Sequence, residues 1–128
     1  MADREVAITE IKDRLIQCFE LYNKGDMAAC TAFYATDAKL FPPGFEPAEG
    51  AEAISAGLQF SYNSNNVKHL DYEIKEVQVA GPEVGYSCAA TVAKDANGEE
   101  KGKFQDLMLW TKMSGEWLVF REMFNQRP

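Results

Sequence analysis

Three long stretches in the second half of the chain, Val84–Lys94, Lys101–Lys112 and Glu116–Gln126, are separated only by tight turns. Asp95-Ala96-Asn97-Gly98 and Ser114-Gly115 are turn chemistry of the kind that tolerates positive φ, which a hairpin demands. Val67–Val79 alternates loosely before them and is broken by Gly81-Pro82. Four successive extended runs with no room for crossover helices exclude a parallel α/β sheet and require an antiparallel meander. Strands of ten or more residues span roughly 35 Å and do not stay flat, so the sheet is expected to curl.

The first half has a different period. Ile8, Ile11, Leu15, Cys18 and Tyr22 follow 3-4-3-4 spacing, with Val6 and Phe19 alongside, and form one helical stripe. Asp3 is expected to cap its start and Gly25 to stop it, with Asp26 capping a short second helix that turns Ala29 and Phe33 inward. A short extended piece, Ala38–Phe41, runs into Pro42-Pro43-Gly44. A third helix follows Gly50, packed through Ala53, Ile54, Gly57, Leu58 and Phe60. Phe60–Asn66 is the polar stretch expected to be mobile. One sheet face needs a cover and the helical half is the only one available, so the fold class is α+β, in a single domain over residues 1–128.

Composition narrows the partners. Thirteen Lys and Arg against twenty Asp and Glu give a net charge of −7, with no basic cluster, which disfavours nucleic acid and anionic membrane surfaces. No apolar run approaches the ~20 residues of a membrane span, and the start MADREV is charged, so neither a span nor a secretory signal is expected. Cys18, Cys30 and Cys88 are odd in number and widely spaced, which favours a reducing, cytoplasmic setting. His69 is the only histidine, and no Cys/His cluster accompanies it. No metal and no cofactor is expected.

Glu20-Leu-Tyr-Asn-Lys-Gly-Asp26, then Phe33-Tyr-Ala-Thr-Asp-Ala38, Pro42-Pro-Gly, Gly50-x-x-x-Ile54 and the closing Gly115-Glu-Trp117-x-x-x-Arg-Glu122-x-x-Asn125 run in order along the chain. In this order they resemble the nuclear-transport-factor-2-like superfamily, which includes ketosteroid isomerase, the SnoaL-like polyketide cyclases and scytalone dehydratase. The resemblance implies a cone-shaped barrel, with three N-terminal helices in the concave face of a curved, mainly antiparallel sheet and an apolar pocket between them. It also implies a homodimer through the convex sheet face. Phe104, Met108 and Trp110 on one side of a strand and Leu107 and Leu109 on the other agree with a sheet covered on both faces.

The same resemblance aligns Asp106 with the aspartic acid that helps form the oxyanion hole of ketosteroid isomerase, where an apolar site keeps the carboxyl protonated. Asp106 either faces a dry pocket, with its pKa raised by burial, or sits solvated on the outer face. Tyr34 aligns with a pocket tyrosine, the alternative being a ring packed at a helix end. Glu122 lies between Phe120 and Phe124 at period two. If those rings line the cavity it is a buried carboxylate that must be paired or protonated. Pro42 stands where ketosteroid isomerase has its proton-transferring aspartate, and Cys18 where it has its principal oxyanion tyrosine, so that steroid mechanism is not expected.

Asp106, Glu122 and Tyr34 are therefore the candidate catalytic residues. Cys18, Tyr22, Phe41, Leu58, Tyr62, Phe104, Phe120 and Phe124 are the candidate wall for a small apolar or aromatic ligand. Two functions stay open. One is a ligand-binding protein with acid/base activity of isomerase, cyclase or lyase type. The other is a non-catalytic dimerisation or interaction module whose cavity is filled by its own aromatic side chains.

Overall fold

The computed structural model describes residues 2–128, and its elements follow the change of period. Helix α1 (Ala2–Asn23) ends where Gly25 takes φ 81°, and Asp26 caps α2 (Met27–Thr31) by accepting from the Ala29 backbone N–H at 3.0 Å. Asp3 lies within the first turn of α1. In α2 the buried residues are Met27 and Cys30, while Ala29 is only half-buried and Phe33 is buried beyond the helix end. With five residues, α2 is too short to turn a longer stripe inward.

Strand β1 (Tyr34–Phe41) begins four residues before the expected position, so Tyr34 opens a strand and does not end a helix. Its partner β2 (Ala48–Glu49) folds back antiparallel, Lys39 against Glu49, which makes Pro42–Pro47 a hairpin loop. Helix α3 (Ala51–Gln59) buries Ile54 completely, whereas Gly57 and Phe60 (51 % exposed) face outward. The stretch expected to be mobile forms a π-helical turn (Phe60–Ser64). Asn65 N–H donates to Phe60 O at 3.0 Å and Val67 N–H to Ser61 O at 3.0 Å.

The meander follows as β3 (His69–Val79), β4 (Val84–Lys94), β5 (Glu100–Met113) and β6 (Glu116–Gln126), all paired antiparallel. The whole sheet runs β2-β1-β6-β5-β4-β3, with β1 entering parallel to β6. It is an open, curved sheet and not a closed barrel. Helix α1 lies over β3, β4 and β6, and α3 over β1.

The core between these layers centres on Ile11, Leu15, Ile54, Trp110 and Val119, all fully buried. The two tryptophans keep their N–H groups satisfied, Trp110 donating to Ser87 Oγ at 2.9 Å and Trp117 to Glu10 Oε1 at 3.0 Å. Helix and sheet are in close contact at Gly85, opposite Trp110. A Cβ there would sit 2.7 Å from Ile11 Cδ1 and 2.8 Å from the Gln78 carbonyl oxygen.

Candidate functional site

Which face a strand residue takes is set by register, and in β6 the register slips. Trp110 pairs with Val119, but Leu109 pairs with Arg121, leaving Phe120 as the extra residue of a β-bulge. Strict alternation from Val119 would send Glu122 outward. The inserted residue reverses the phase, so Val119 and Glu122 both face the helices and both are buried. Beyond the bulge Met108 pairs with Glu122 and Asp106 with Phe124. Asp106 and Glu122 are thus diagonal neighbours on one face of adjacent strands, close enough for their charges to interact.

Tyr34 completes the group from β1, where it pairs with Val119. Its hydroxyl donates to Glu122 Oε1 at 2.5 Å, a short charge-assisted bond between two buried groups 88 residues apart. Burial pushes the Glu122 carboxyl up to about 7, and the Tyr34 hydrogen bond holds it from going higher. Burial, then the nearby Glu122 charge, pushes Asp106 up to about 8, with a backbone contact to Ala89 acting in the opposite sense. The Tyr34 phenol is itself held well above its usual value, chiefly by burial. Both carboxyls are therefore held protonated to a higher pH than usual, while the Tyr34 hydrogen bond favours the ionised form at Glu122.

Asp106 has one further property. Its Oδ1 is buried and has no hydrogen-bond partner in the protein. Native interiors leave few polar atoms in that state, because each one costs about 1–3 kcal/mol. The rings of Phe104 and Phe124 meet edge-on at 6.0 Å beside it. An open depression of about 550 Å³ is lined mainly from the outer face of the sheet, by Cys88, Gln105, Leu107 and Met123, and also touches Asp106 and Phe124.

The remaining candidates fall into three groups. Cys18, Tyr22, Leu58 and Tyr62 gather in a second cluster with Met27, Cys30 and Phe33, between α1, α2 and the π-helical turn. There the Tyr22 hydroxyl is already engaged, donating to Val67 O at 2.8 Å and hydrogen-bonded to Ser61 Oγ at 2.9 Å, while its ring meets Tyr62 edge-on at 5.8 Å. Phe120, the bulge residue, is half-buried against the main core with the Arg121 guanidinium over its ring. Phe41 is half-buried and shares its register with the exposed Met123 and not with Glu122, which pairs with Leu40.

His69 is exposed at the start of β3, its Nε2 3.0 Å from Asp71 Oδ1, and stands apart from the carboxylates. No three His, Cys, Asp or Glu side chains among the described residues stand together as a metal site would require. Among the described residues, no helix is long and apolar enough to cross a membrane. The sequence reading missed the contact between Cys18 and Cys30, whose sulfurs are 3.3 Å apart. The signal available for it was their separation of twelve residues across a helix–turn–helix joint.

Comparison with known proteins gives the family model of the SnoaL-like domain a match over residues 15–115. No curated protein matches. Among solved structures, a ketosteroid isomerase-like protein from Erwinia carotovora atroseptica superposes with a TM-score of 0.80 at 24% identity, over 94% of this chain and 96% of that one. A Nostoc punctiforme domain of unknown function with a cystatin-like fold gives 0.82 at 16% identity, over 94% and 76%. A structure from Catenulispora acidiphila in complex with S-DNPA gives 0.79 at 12% identity, over 96% and 95%. At these identities the likeness is one of fold.

Proposed function

Because this chain belongs to the SnoaL-like domain family, we propose that it binds a small apolar or aromatic molecule bearing an oxygen function and moves a proton on it without a cofactor. The observation that carries this reading is the orphaned Oδ1 of Asp106, buried beside a second carboxyl that is itself hydrogen-bonded. In the neutral form Asp106 donates an O–H to a ligand carbonyl or phenol oxygen. Glu122, ionised and steadied by Tyr34, accepts a proton from the same ligand. A donor and an acceptor of this kind, tuned close to neutral pH, suit isomerisation, cyclisation or dehydration.

Phe104 and Phe124 supply the apolar surround. Pro42 offers no acid or base and Cys18 only a weak donor, which argues against steroid isomerisation by the ketosteroid isomerase route. The relatives described as ketosteroid isomerase-like and as an S-DNPA complex are compatible with a pocket of this class. The protein acts in a reducing, cytoplasmic setting and as a homodimer, joined through the outer face of the sheet where Leu107 and Met123 pair directly and stay 42 % and 57 % exposed.

Titration with 2-naphthol, followed by its fluorescence at pH 7.5, tests the site. The expected result is saturable binding that Asp106→Ala and Glu122→Gln each weaken roughly tenfold, the value of one lost hydrogen bond to a charged or buried group. Equal affinity in wild type and both variants would remove the two carboxyls from any ligand site.

A further inference from the structure

Cys18 lies on α1 and Cys30 on α2, and the turn at Lys24-Gly25-Asp26 folds one helix onto the other. Gly25 N–H donates to Tyr22 O at 2.9 Å and Asp26 N–H to Leu21 O at 3.0 Å, so the angle between the helices is fixed. The two sulfurs meet at 3.3 Å as a thiol–thiol hydrogen bond, and the Cys30 thiol also reaches the Cys18 carbonyl oxygen at 3.6 Å. Both residues are buried, at 6 % and 2 % exposure. Cys88 lies elsewhere, half-buried on β4 in register with Leu107. Two thiols thus stand in contact inside the core, on elements other than the strand that carries Cys88.

We infer that Cys18 and Cys30 are a redox modification site, which hydrogen peroxide closes into a reversible intrachain disulfide. A disulfide brings its sulfurs to about 2.05 Å, roughly 1.2 Å nearer than they stand now, a displacement that a five-residue α2 can absorb. In the first step the thiolate of one cysteine attacks a peroxide oxygen. The O–O bond breaks, leaving a sulfenic acid, and the departing hydroxide takes up a proton as water. In the second step the neighbouring sulfur attacks the sulfenic sulfur, the S–OH bond breaks, and a second water leaves. Two thiols are oxidised by two electrons and one peroxide is reduced to two waters.

The Cys30 hydrogen bond and burial keep the Cys18 thiol well above its ordinary pKa, so the first step is slow. The second is fast, because the resolving thiol is already in contact. The site is therefore expected to stop at the disulfide and not climb to higher oxides. Helix α2 is followed within three residues by Tyr34, so the bridge acts on the segment that positions the Glu122 hydrogen bond. The inference itself does not depend on the proposed ligand site.

The test uses the full chain carrying Cys88→Ser, which leaves only these two thiols. It is treated with hydrogen peroxide, quenched, denatured and assayed by thiol counting and intact mass. The expected result is a fall from two thiols to none with the loss of two hydrogens, a monomer on a non-reducing gel, and full recovery with dithiothreitol. In parallel, tryptic mapping of peroxide-treated wild type is expected to yield a peptide ending at Lys24 linked to one ending at Lys39. Overturning results are two thiols that persist while peroxide oxidises the same chain when unfolded in urea, oxygen added to either sulfur in place of hydrogen loss, or a bridge between chains.

Discussion

At the scale of single residues, the chain keeps two carboxyls largely out of water, and this has a measurable sign. The unperturbed carboxyl values lie near 4 and the folded ones near 7 and 8 for Glu122 and Asp106, so between those limits the folded state binds more protons than the unfolded one. The stabilisation is fully present below about pH 4 and is lost as pH rises toward 8. Urea unfolding at pH 5 and pH 8 is expected to show this fall in wild type and a markedly flatter profile in Glu122→Gln/Asp106→Asn. Parallel profiles would mean that neither group is held protonated by the fold. Tyr34→Phe removes the donor that favours ionised Glu122. It is expected to cost about 1.5–3 kcal/mol at pH 8, where Glu122 is charged, and less at pH 5, as read from the same unfolding curves.

At the scale of elements, two local features bring the helices and strands into the arrangement that makes the site. The Phe120 bulge turns Glu122 inward, and the bare backbone of Gly85 lets α1 settle onto β4 against Ile11. Gly85→Ala drives a methyl against Ile11 Cδ1 and against a backbone carbonyl that has nowhere to go. It is expected to destabilise by about 1–3 kcal/mol in urea unfolding with little change in far-ultraviolet dichroism. A neutral result would show that α1 shifts freely on the sheet. Gly25 is constrained differently, by φ 81° and by Tyr62, whose hydroxyl lies 2.7 Å from where its Cβ would be.

At the scale of the whole molecule, the sheet has one face under the helices and one bare. Leu107 and Met123 sit side by side on the bare face, and in the proposed dimer a second subunit covers them. Sedimentation equilibrium is expected to give twice the chain mass for wild type and the single chain mass for Leu107→Lys, with helix content unchanged. A monomeric wild type would end the dimer reading. The order of elements was legible along the chain because its signals are local. Asn97-Gly98 and Ser114-Gly115 are local hairpin signals, and Val84–Lys94 and Glu116–Gln126 begin and end in the structure where the turns place them. The α+β class followed from the change of period alone. Tertiary structure decided the rest. Strand β1 joins β6 in parallel, a pairing that no local signal announces, and so Tyr34 meets a carboxylate 88 residues away. Period two put Glu122 with Phe120 and Phe124, but its inward direction rests on one unpaired residue in a ladder, and Phe41 takes the register of Met123. A turn stores its geometry in the residues that make it, whereas the face a side chain takes is fixed by every partner strand together, and that information is absent from any stretch of sequence read by itself.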